Sequence, residues 1–517
     1  MRSYAQTLRC AAAAALLLTL ALSPLKAFEP LGADDAAQVE MKLIPLPSQV
    51  SLGTGTVKLD EALHVELLCP ESDAACQLFE KTFTQWFGHC PKIESLETDQ
   101  AAPGANPDSY KITAEGETLR VEAPGCSGIL NALKTLRQIA EPNRDALKLS
   151  CYLVPELAIT DSPTLSFRGL HLCWFPETDP IRIEQAIRLA GYYKFNYIVI
   201  EPWGTFRFQK HPEFCWSDYA VDRQEIRRLV EAARSMGVTL IPQMNLFGHA
   251  SQSRGSTGKH VPLDFHPEFQ PLFEPDGWTW CLSNPATREL LTDLVLELYE
   301  AFDSPPYFHI GCDEAYSART CRLCRAADYH ALLLDHLTYF CQLMAERDCR
   351  TMMWHDMLIS RSDFPGYVAN GNDWSTSLID DLPKGMIICD WQYGAPNENE
   401  TWPTADYIAD HKFDVILCPW TERTRIDSLG KKAASAGLMG IPETTWHHFD
   451  GESMRTMLAS GAGAAWGSGR EGPIRSAYTE YQVDFHLRQI GWDMQNLGYE
   501  QTGTYPYQLV PQPAGPR

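Results

Sequence analysis

Tyr307-Phe308-His309-Ile310-Gly311-Cys312-Asp313-Glu314 runs from an apolar strand pattern into a glycine and then into two adjacent acids. Working outward from it, similar apolar segments recur at 167–172, 196–201, 238–243, 306–311, 351–354, 386–391, 414–418 and 437–441. Helical periodicity lies between most of them, at Ile181 to Tyr193, Arg223 to Met236, Pro285 to Phe302 and Ala326 to Asp348. Eight strands alternating with helices over about 300 residues predict an α/β fold of the (β/α)8 TIM barrel type. A doubly wound open sheet is the competing fold. It would carry a phosphate-cradling loop after its first strand, and Gly169-Leu170-His171-Leu172 is not one.

Upstream of the barrel pattern the character changes. Short alternating segments, Val57 to Leu59 and His64 to Leu68, precede a helical stretch from Ala74 to Phe87. A hairpin pattern follows, 110–113 with 119–122 about Glu115-Gly116-Glu117, and then an amphipathic helix from Ser127 to Ile139. The expected organisation is a leader over 1–27, a small α+β domain over 28–160, the barrel over 161–490 and a tail over 491–517. Arg2 and Arg9 precede the apolar run Ala11 to Leu22, and Leu25-Lys26-Ala27 offers a small residue for cleavage, the pattern of a secretory leader. That run is too short to span a bilayer, so the expectation is a secreted or periplasmic protein without a membrane span.

The net charge of −23 becomes −26 once Arg2, Arg9 and Lys26 leave with the leader. So acidic a protein repels nucleic acid and anionic membranes. No nucleic-acid partner is expected, and neutral substrates remain open. Of 16 cysteines Cys10 leaves with the leader, so an odd number remains, and at least one is unpaired within the chain. Cys321-Arg322-Leu323-Cys324 supplies two metal ligands where structural zinc generally needs four. A structural role is favoured there, with a disulfide, free thiols or a weak metal site all open. His447-His448 reads as solvent-facing or local packing.

The acid pair carries the chemistry. Residues at the C-terminal ends of barrel strands face the active site, and two carboxylates there oppose one another's ionisation. If one stays charged and the other protonated they divide the labour of glycoside cleavage: a proton for the leaving oxygen, and a negative charge beside the developing oxocarbenium ion. Adjacent strand residues point to opposite faces, so both reach one substrate only where the strand breaks into a loop. Ala315-Tyr316-Ser317 fits that break. A helix N-terminus with acids in its first turn is the bland alternative.

His309-Ile310-Gly311-Cys312-Asp313-Glu314 resembles the His-x-Gly-x-Asp-Glu signature of glycoside hydrolase family 20, the β-N-acetylhexosaminidases. With Trp354-His355-Asp356-Met357 the likeness is greatest to the hexosaminidase D type. Ile159-Thr160-Asp161-Ser162-Pro163 with Phe167-Arg168-Gly169-Leu170, Ile241 to His249, and Cys281 to Pro285 resemble further family segments in the same order. Residues 41–140 resemble the small domain that precedes many such barrels. What the resemblance implies is an exo-acting enzyme on glycans ending in β-linked N-acetylhexosamine, with substrate-assisted retention. The sugar's 2-acetamido oxygen attacks the anomeric carbon, Asp313 orients it, and Glu314 is acid and then base. No metal or organic cofactor is required.

By the same resemblance Arg168 binds sugar hydroxyls; a salt bridge at the barrel bottom is its alternative role. His249 stands at the mouth after the third strand, orienting a catalytic acid or serving structure. Trp354, Trp391, Trp420 and Trp446 fall at or just beyond strand ends, where aromatic rings stack on sugar faces. Tyr393 is a candidate donor to the acetamide oxygen, and Asp356 and Glu443 are candidate hydroxyl ligands. Trp420-Thr421-Glu422 carries the letters of the family's Trp-x-Glu motif one strand early. Two rival functions stay open: a catalytically weak sugar-binding relative, and a glycosidase that uses both acids on sugars lacking the acetamide.

Overall fold

The computed structural model describes residues 29–96, 104–143, 151–176, 178–216, 218–250, 262–394, 401–446, 452–467 and 482–491. The expected leader, His447-His448 and the tail beyond residue 491 lie outside them. Two compact units emerge, one comprising Pro47–Asp161 with the segment up to Glu40, the other Met41–Leu46 with the segment from Ser162 onward.

The first unit is a small α+β domain. Its strands are β1 (Gln49–Leu59), β2 (His64–Leu68), β3 (Lys92–Ser95), β4 (Tyr110–Glu115), β5 (Thr118–Glu122), β6 (Glu141–Pro142) and β7 (Tyr152–Asp161). They form a mixed sheet in the order β1-β7-β4-β5-β2-β3, with β6 beside β7. Helices Ser72–Phe87 and Cys126–Ile139 cover it, and Phe79, Phe83 and Phe87, four residues apart, stack along one face of the first. The strand β7 escapes the sequence reading because Pro155 and Glu156 interrupt its pattern. The ladder tolerates them through a register shift in β1 between Leu52 and Thr56.

The second unit is a (β/α)8 barrel. Its parallel strands are β8 (Phe167–Trp174), β9 (Tyr197–Pro202), β10 (Thr239–Pro242), β11 (Tyr307–His309), β12 (Arg350–Trp354), β13 (Ile387–Trp391), β14 (Asp414–Cys418) and β15 (Gly440–Thr444). Hydrogen-bonded neighbours run β10-β9-β8-β15-β14-β13-β12-β11. The two ends of that series meet at the bridge Gln243–His309, helped by Met244 N–H to His309 O at 2.9 Å and Leu246 N–H to Ile310 O at 3.0 Å. Phe167, Val199, Ile241, Met352, Ile387 and Ile416 fill the interior. Asp179, Asp222, Asn284 and Asp328 accept backbone N–H bonds at the starts of four outer helices, satisfying otherwise orphaned donors.

All eight expected strands form. The last is displaced, from 437–441 to Gly440–Thr444, because Gly437, at φ 63°, still belongs to the turn closing helix Arg423–Ser435. The helix expected over 326–348 forms as Tyr329–Ala345, capped by Asp328, and a short helix, Arg322–Ala326, precedes it. No helix among the described residues is long and apolar enough to cross a membrane.

Candidate active site

The acid pair sits where β11 stops. Gly311, Cys312 and Glu314 take φ of 64°, 76° and 48°, a left-handed run that breaks strand alternation and turns both acids toward the barrel mouth. Gly311 is required twice over, by its φ and because a Cβ there would stand 1.9 Å from Asn245 Oδ1. Across the seam, Gly248 lies so close that its Cβ would meet Asp313 O at 1.9 Å. Next to it His249 is also left-handed, at φ 54°. Each non-glycine residue in that region costs about 1–3 kcal/mol, so packing on both sides of the seam holds the turn.

His249 is shared by the acids. Its Nε2 lies 3.3 Å from Asp313 Oδ2 and 3.4 Å from Glu314 Oε2. Burial opposes charging the ring, but the two carboxylates, Asp313 foremost, override it and raise the pKa to about 10. The ring is therefore a cation at neutral pH. It packs against the indoles of Trp278 at 4.6 Å and Trp203 at 5.8 Å. Asp313 is 5% exposed and its Oδ1 has no partner among the described residues. Glu314 is held at the backbone, its N–H donating to Asp356 Oδ2 at 3.0 Å and its carbonyl accepting from Trp278 Nε1 at 2.5 Å. Its Oε1 accepts from the Tyr316 hydroxyl at 2.8 Å.

Below the pair lies a second polar layer. Glu201, near the end of β9, accepts from Asn245 Nδ2 at 2.7 Å and lies 3.3 Å from the His171 ring. Burial works to raise its pKa, but His171, with His249 and Asn245 adding, brings it down to about 2. His309 is buried, which holds its pKa well below the usual imidazole value; its Nδ1 accepts from Gly311 N–H at 3.0 Å. His249, Asp313 and Glu314 place three potential metal ligand atoms within 4.8 Å of one another, as do His171, Cys173 and Glu201. In both clusters a histidine sits at ion-pair distance from a carboxylate.

Aromatic residues line the mouth. Trp354, at the end of β12, lies 5.5 Å from Trp446 and 4.3 Å from His309. Tyr393 stands between Trp391, Trp420 and Trp446, at 5.2, 5.1 and 6.5 Å, and its hydroxyl accepts from Trp446 Nε1 at 2.5 Å. The structure thus brings Asp313, Glu314, His249, Trp354, Trp391, Tyr393, Trp420 and Trp446 to one end of the barrel.

Three expectations change. Arg168 lies at the start of β8, at the opposite end of the barrel from the acids. Its guanidinium donates to the carbonyls of Lys194 and Leu165 at 3.1 and 2.9 Å and stacks on Trp466, so it serves the barrel bottom and not a sugar. Glu443 pairs in register with outward-facing Leu170 and points away from the barrel interior toward helix Glu452–Trp466. A Cβ on Gly461 would come within 1.9 Å of Glu443 Oε2. Neither carboxyl oxygen finds a partner among the described residues, and burial raises its pKa well above the usual range. Asp356 is fully buried behind Glu314, its Oδ2 also accepting from Asn370 at 2.9 Å. Burial and the charge of Asp313 raise its pKa to about 6. Its Oδ2 positions the Glu314 backbone, while its Oδ1, like that of Asp313, is buried without a hydrogen-bond partner among the described residues.

Sequence reasoning missed Trp278, Tyr316, Asn245, His171 and Glu201 as site residues. Glu201 and Asn245 carried a legible signal, a polar residue at the C-terminal end of a buried strand. Trp278 carried none, since it arrives on the long connection between β10 and β11.

Comparisons with known proteins agree with this architecture. The glycosyl hydrolase family 20 catalytic domain matches residues 205–423, and that family's domain 2 matches residues 40–162. A beta-hexosaminidase of Vibrio furnissii is 24% identical over 56% of this chain and 51% of its own length. A beta-hexosaminidase of Akkermansia muciniphila is 24% identical over 52% of this chain and 58% of its own. The chain thus spans little more than half the length of these relatives. Among solved structures, a chitobiase of Flavobacterium johnsoniae superposes with a TM-score of 0.65 at 18% identity, covering 89% of this chain and 73% of that one. The GH20 exo beta-N-acetylglucosaminidase of Vibrio harveyi gives 0.62 at 17% identity, covering 89% and 78%.

Proposed function

The chain belongs to glycosyl hydrolase family 20, and on that premise we propose that it releases terminal β-linked N-acetylhexosamine from glycans by a retaining, substrate-assisted reaction. The observation that carries the reading is the shared contact of His249 with Asp313 and Glu314 at a barrel mouth walled by tryptophans. Three groups there hold one exchangeable proton. Moved 3.4 Å from His249 to Glu314 Oε2, that proton arms Glu314 as an acid without changing net charge.

In this scheme Glu314 donates that proton to the leaving glycosidic oxygen. The 2-acetamido oxygen of the sugar attacks the anomeric carbon, and Asp313 accepts from the acetamide N–H and offsets the positive charge of the resulting oxazolinium. Glu314, now a carboxylate, takes a proton from water as water opens that ring. Asp313 Oδ1, without a partner among the described residues, supports its place as an acceptor. Trp354, Trp391, Trp420 and Trp446 supply stacking surface, and Tyr393 supports recognition of the acetamide. Export to the periplasm or beyond is part of the proposal, supported by the apolar run Ala11 to Leu22.

The test is hydrolysis of chromogenic β-GlcNAc, β-GalNAc and β-glucose substrates and of a natural acetamido disaccharide by the wild type and by Glu314→Gln. Turnover of acetamido sugars alone, a loss of at least about 100-fold on the disaccharide in the variant, and inhibition by an oxazoline-mimicking thiazoline support the scheme. Glucose turnover without thiazoline inhibition would assign both acids to direct cleavage. A folded wild type that binds N-acetylhexosamine and cleaves nothing would make the protein a binding relative.

A further inference from the structure

The connections before and after β11 together carry a cluster that the glycosidase reading does not use. Phe273 and Trp280 pair across a tight hairpin, with their rings 4.5 Å apart. Glu274 enters this hairpin and Cys281 leaves it. On the other side, Cys321 opens the short helix Arg322–Ala326 and Cys324 lies within it. Folding brings residues about forty positions apart to one point. Cys281 Sγ lies 3.7 Å from Cys321 Sγ and 3.7 Å from Cys324 Sγ. The four ligand atoms, three sulfurs and a Glu274 carboxylate oxygen, all lie within 4.8 Å of one another.

The carboxylate aims inward. Glu274 is fully buried. Its Oε2 is taken up by Thr320 N–H and Oγ1, both at 3.0 Å, and by Cys321 N–H at 2.5 Å. Its Oε1 is buried without a hydrogen-bond partner among the described residues. Such a group costs about 1–3 kcal/mol, more when charged, unless something in the cluster binds it. Cys324 N–H donates to Cys321 Sγ at 3.3 Å, which fixes that sulfur within the cluster.

From this geometry we propose that Cys281, Cys321, Cys324 and Glu274 bind one structural zinc ion. A tetrahedron with metal–sulfur bonds of about 2.3 Å has sulfur–sulfur edges of about 3.8 Å, which matches the two 3.7 Å separations. Three thiolates select a soft or borderline metal over calcium or magnesium, and a closed four-ligand set marks a structural site. Each thiol releases its proton to solvent as its sulfur binds, and Glu274 Oε1 completes the coordination. A disulfide fits less well. It needs sulfurs about 2.05 Å apart, and pairing any two of the three leaves the third and Glu274 Oε1 unmatched. The ion would fasten the hairpin carrying Trp278, whose indole holds the Glu314 carbonyl, to the segment that follows the acid pair.

Metal content tests this without reference to turnover. Full-length protein purified under reducing conditions without chelator should contain about one zinc per chain by elemental mass spectrometry. Titrating its thiols with a mercurial should release that zinc to a chromogenic chelator. Cys281→Ser and Cys324→Ser should lose it, and Cys90→Ser, in the other unit, should keep it. Should the serine variants fail to fold, cobalt-exchanged wild type serves instead, with a thiolate-to-cobalt charge-transfer band and tetrahedral visible bands expected. Stoichiometric zinc with that spectrum supports the site even if no glycoside is hydrolysed. Protein that purifies without zinc and shows no such spectrum after loading with cobalt under reducing conditions overturns it. So does a disulfide between any two of these cysteines in metal-free, folded protein.

Discussion

Replacing His249 with glutamine tests the shared proton most directly. Glutamine keeps a hydrogen-bond donor near the acids but removes the charge. The wild-type ring holds its proton to about pH 10, against about 6.5 for a free imidazole, a gap worth about 5 kcal/mol. With the side chain only 13% exposed, solvent screens little of this. Because the folded value is raised, the stabilisation is complete below about pH 6.5 and drains away as pH climbs toward 10. Urea unfolding of the wild type should therefore show a falling midpoint from pH 7 to pH 10. His249→Gln should be several kcal/mol less stable at pH 7 and lack most of that decline. The same cluster sets the alkaline limb of kcat/KM on an acetamido disaccharide, since activity ends when its last exchangeable proton leaves. Without the imidazole that limb should move down by more than one pH unit. A folded variant whose alkaline limb coincides with that of the wild type would refute the coupling between His249 and the acids.

Glu201, held at about 2 by His171 and Asn245 against burial, contributes stability that is complete above about pH 4.5 and is lost as pH falls toward 2. Glu201→Gln should flatten the acid side of the thermal-denaturation profile by about 3 kcal/mol. Gly311→Ala should cost about 2–4 kcal/mol, combining the left-handed penalty with the clash against Asn245, and should lower kcat at least tenfold. Gly437→Ala shares the positive φ but meets nothing within 4 Å; it should cost only about 1 kcal/mol in urea unfolding and leave kcat unchanged.

The barrel was legible because its strands are apolar runs bounded by helices with clear caps, and the Asp313-Glu314 pair because two adjacent acids after such a run are costly without a task. The side to which a strand residue points was not legible. A barrel strand is buried on both faces and carries no alternation to read, so Glu443 looked like a mouth residue although it lies on the outer face; Arg168 was placed at the sugar by resemblance alone, against its position at the start of a strand. In the small domain, Pro155 hid a ten-residue strand whose accommodation depends on a bulge in its partner. The cysteine cluster was half visible. Cys321 and Cys324 announce themselves by spacing, but Cys281 and Glu274 join them only through the hairpin.

The closure of the barrel gives these residues a second meaning. Between β10 and β11 the ladder is reduced to a bridge and its neighbouring bonds, so little regular structure welds one border of the sheet to the other. The weld is made by Gly311 against Asn245, Gly248 against Asp313, and His249 between the acids. The atoms proposed to cut are thus the ones that close. A library that varies these positions to alter sugar preference also varies how the cylinder is sealed. Loss of activity in such a library has two origins, chemical and architectural, which only a folding measurement on each variant tells apart.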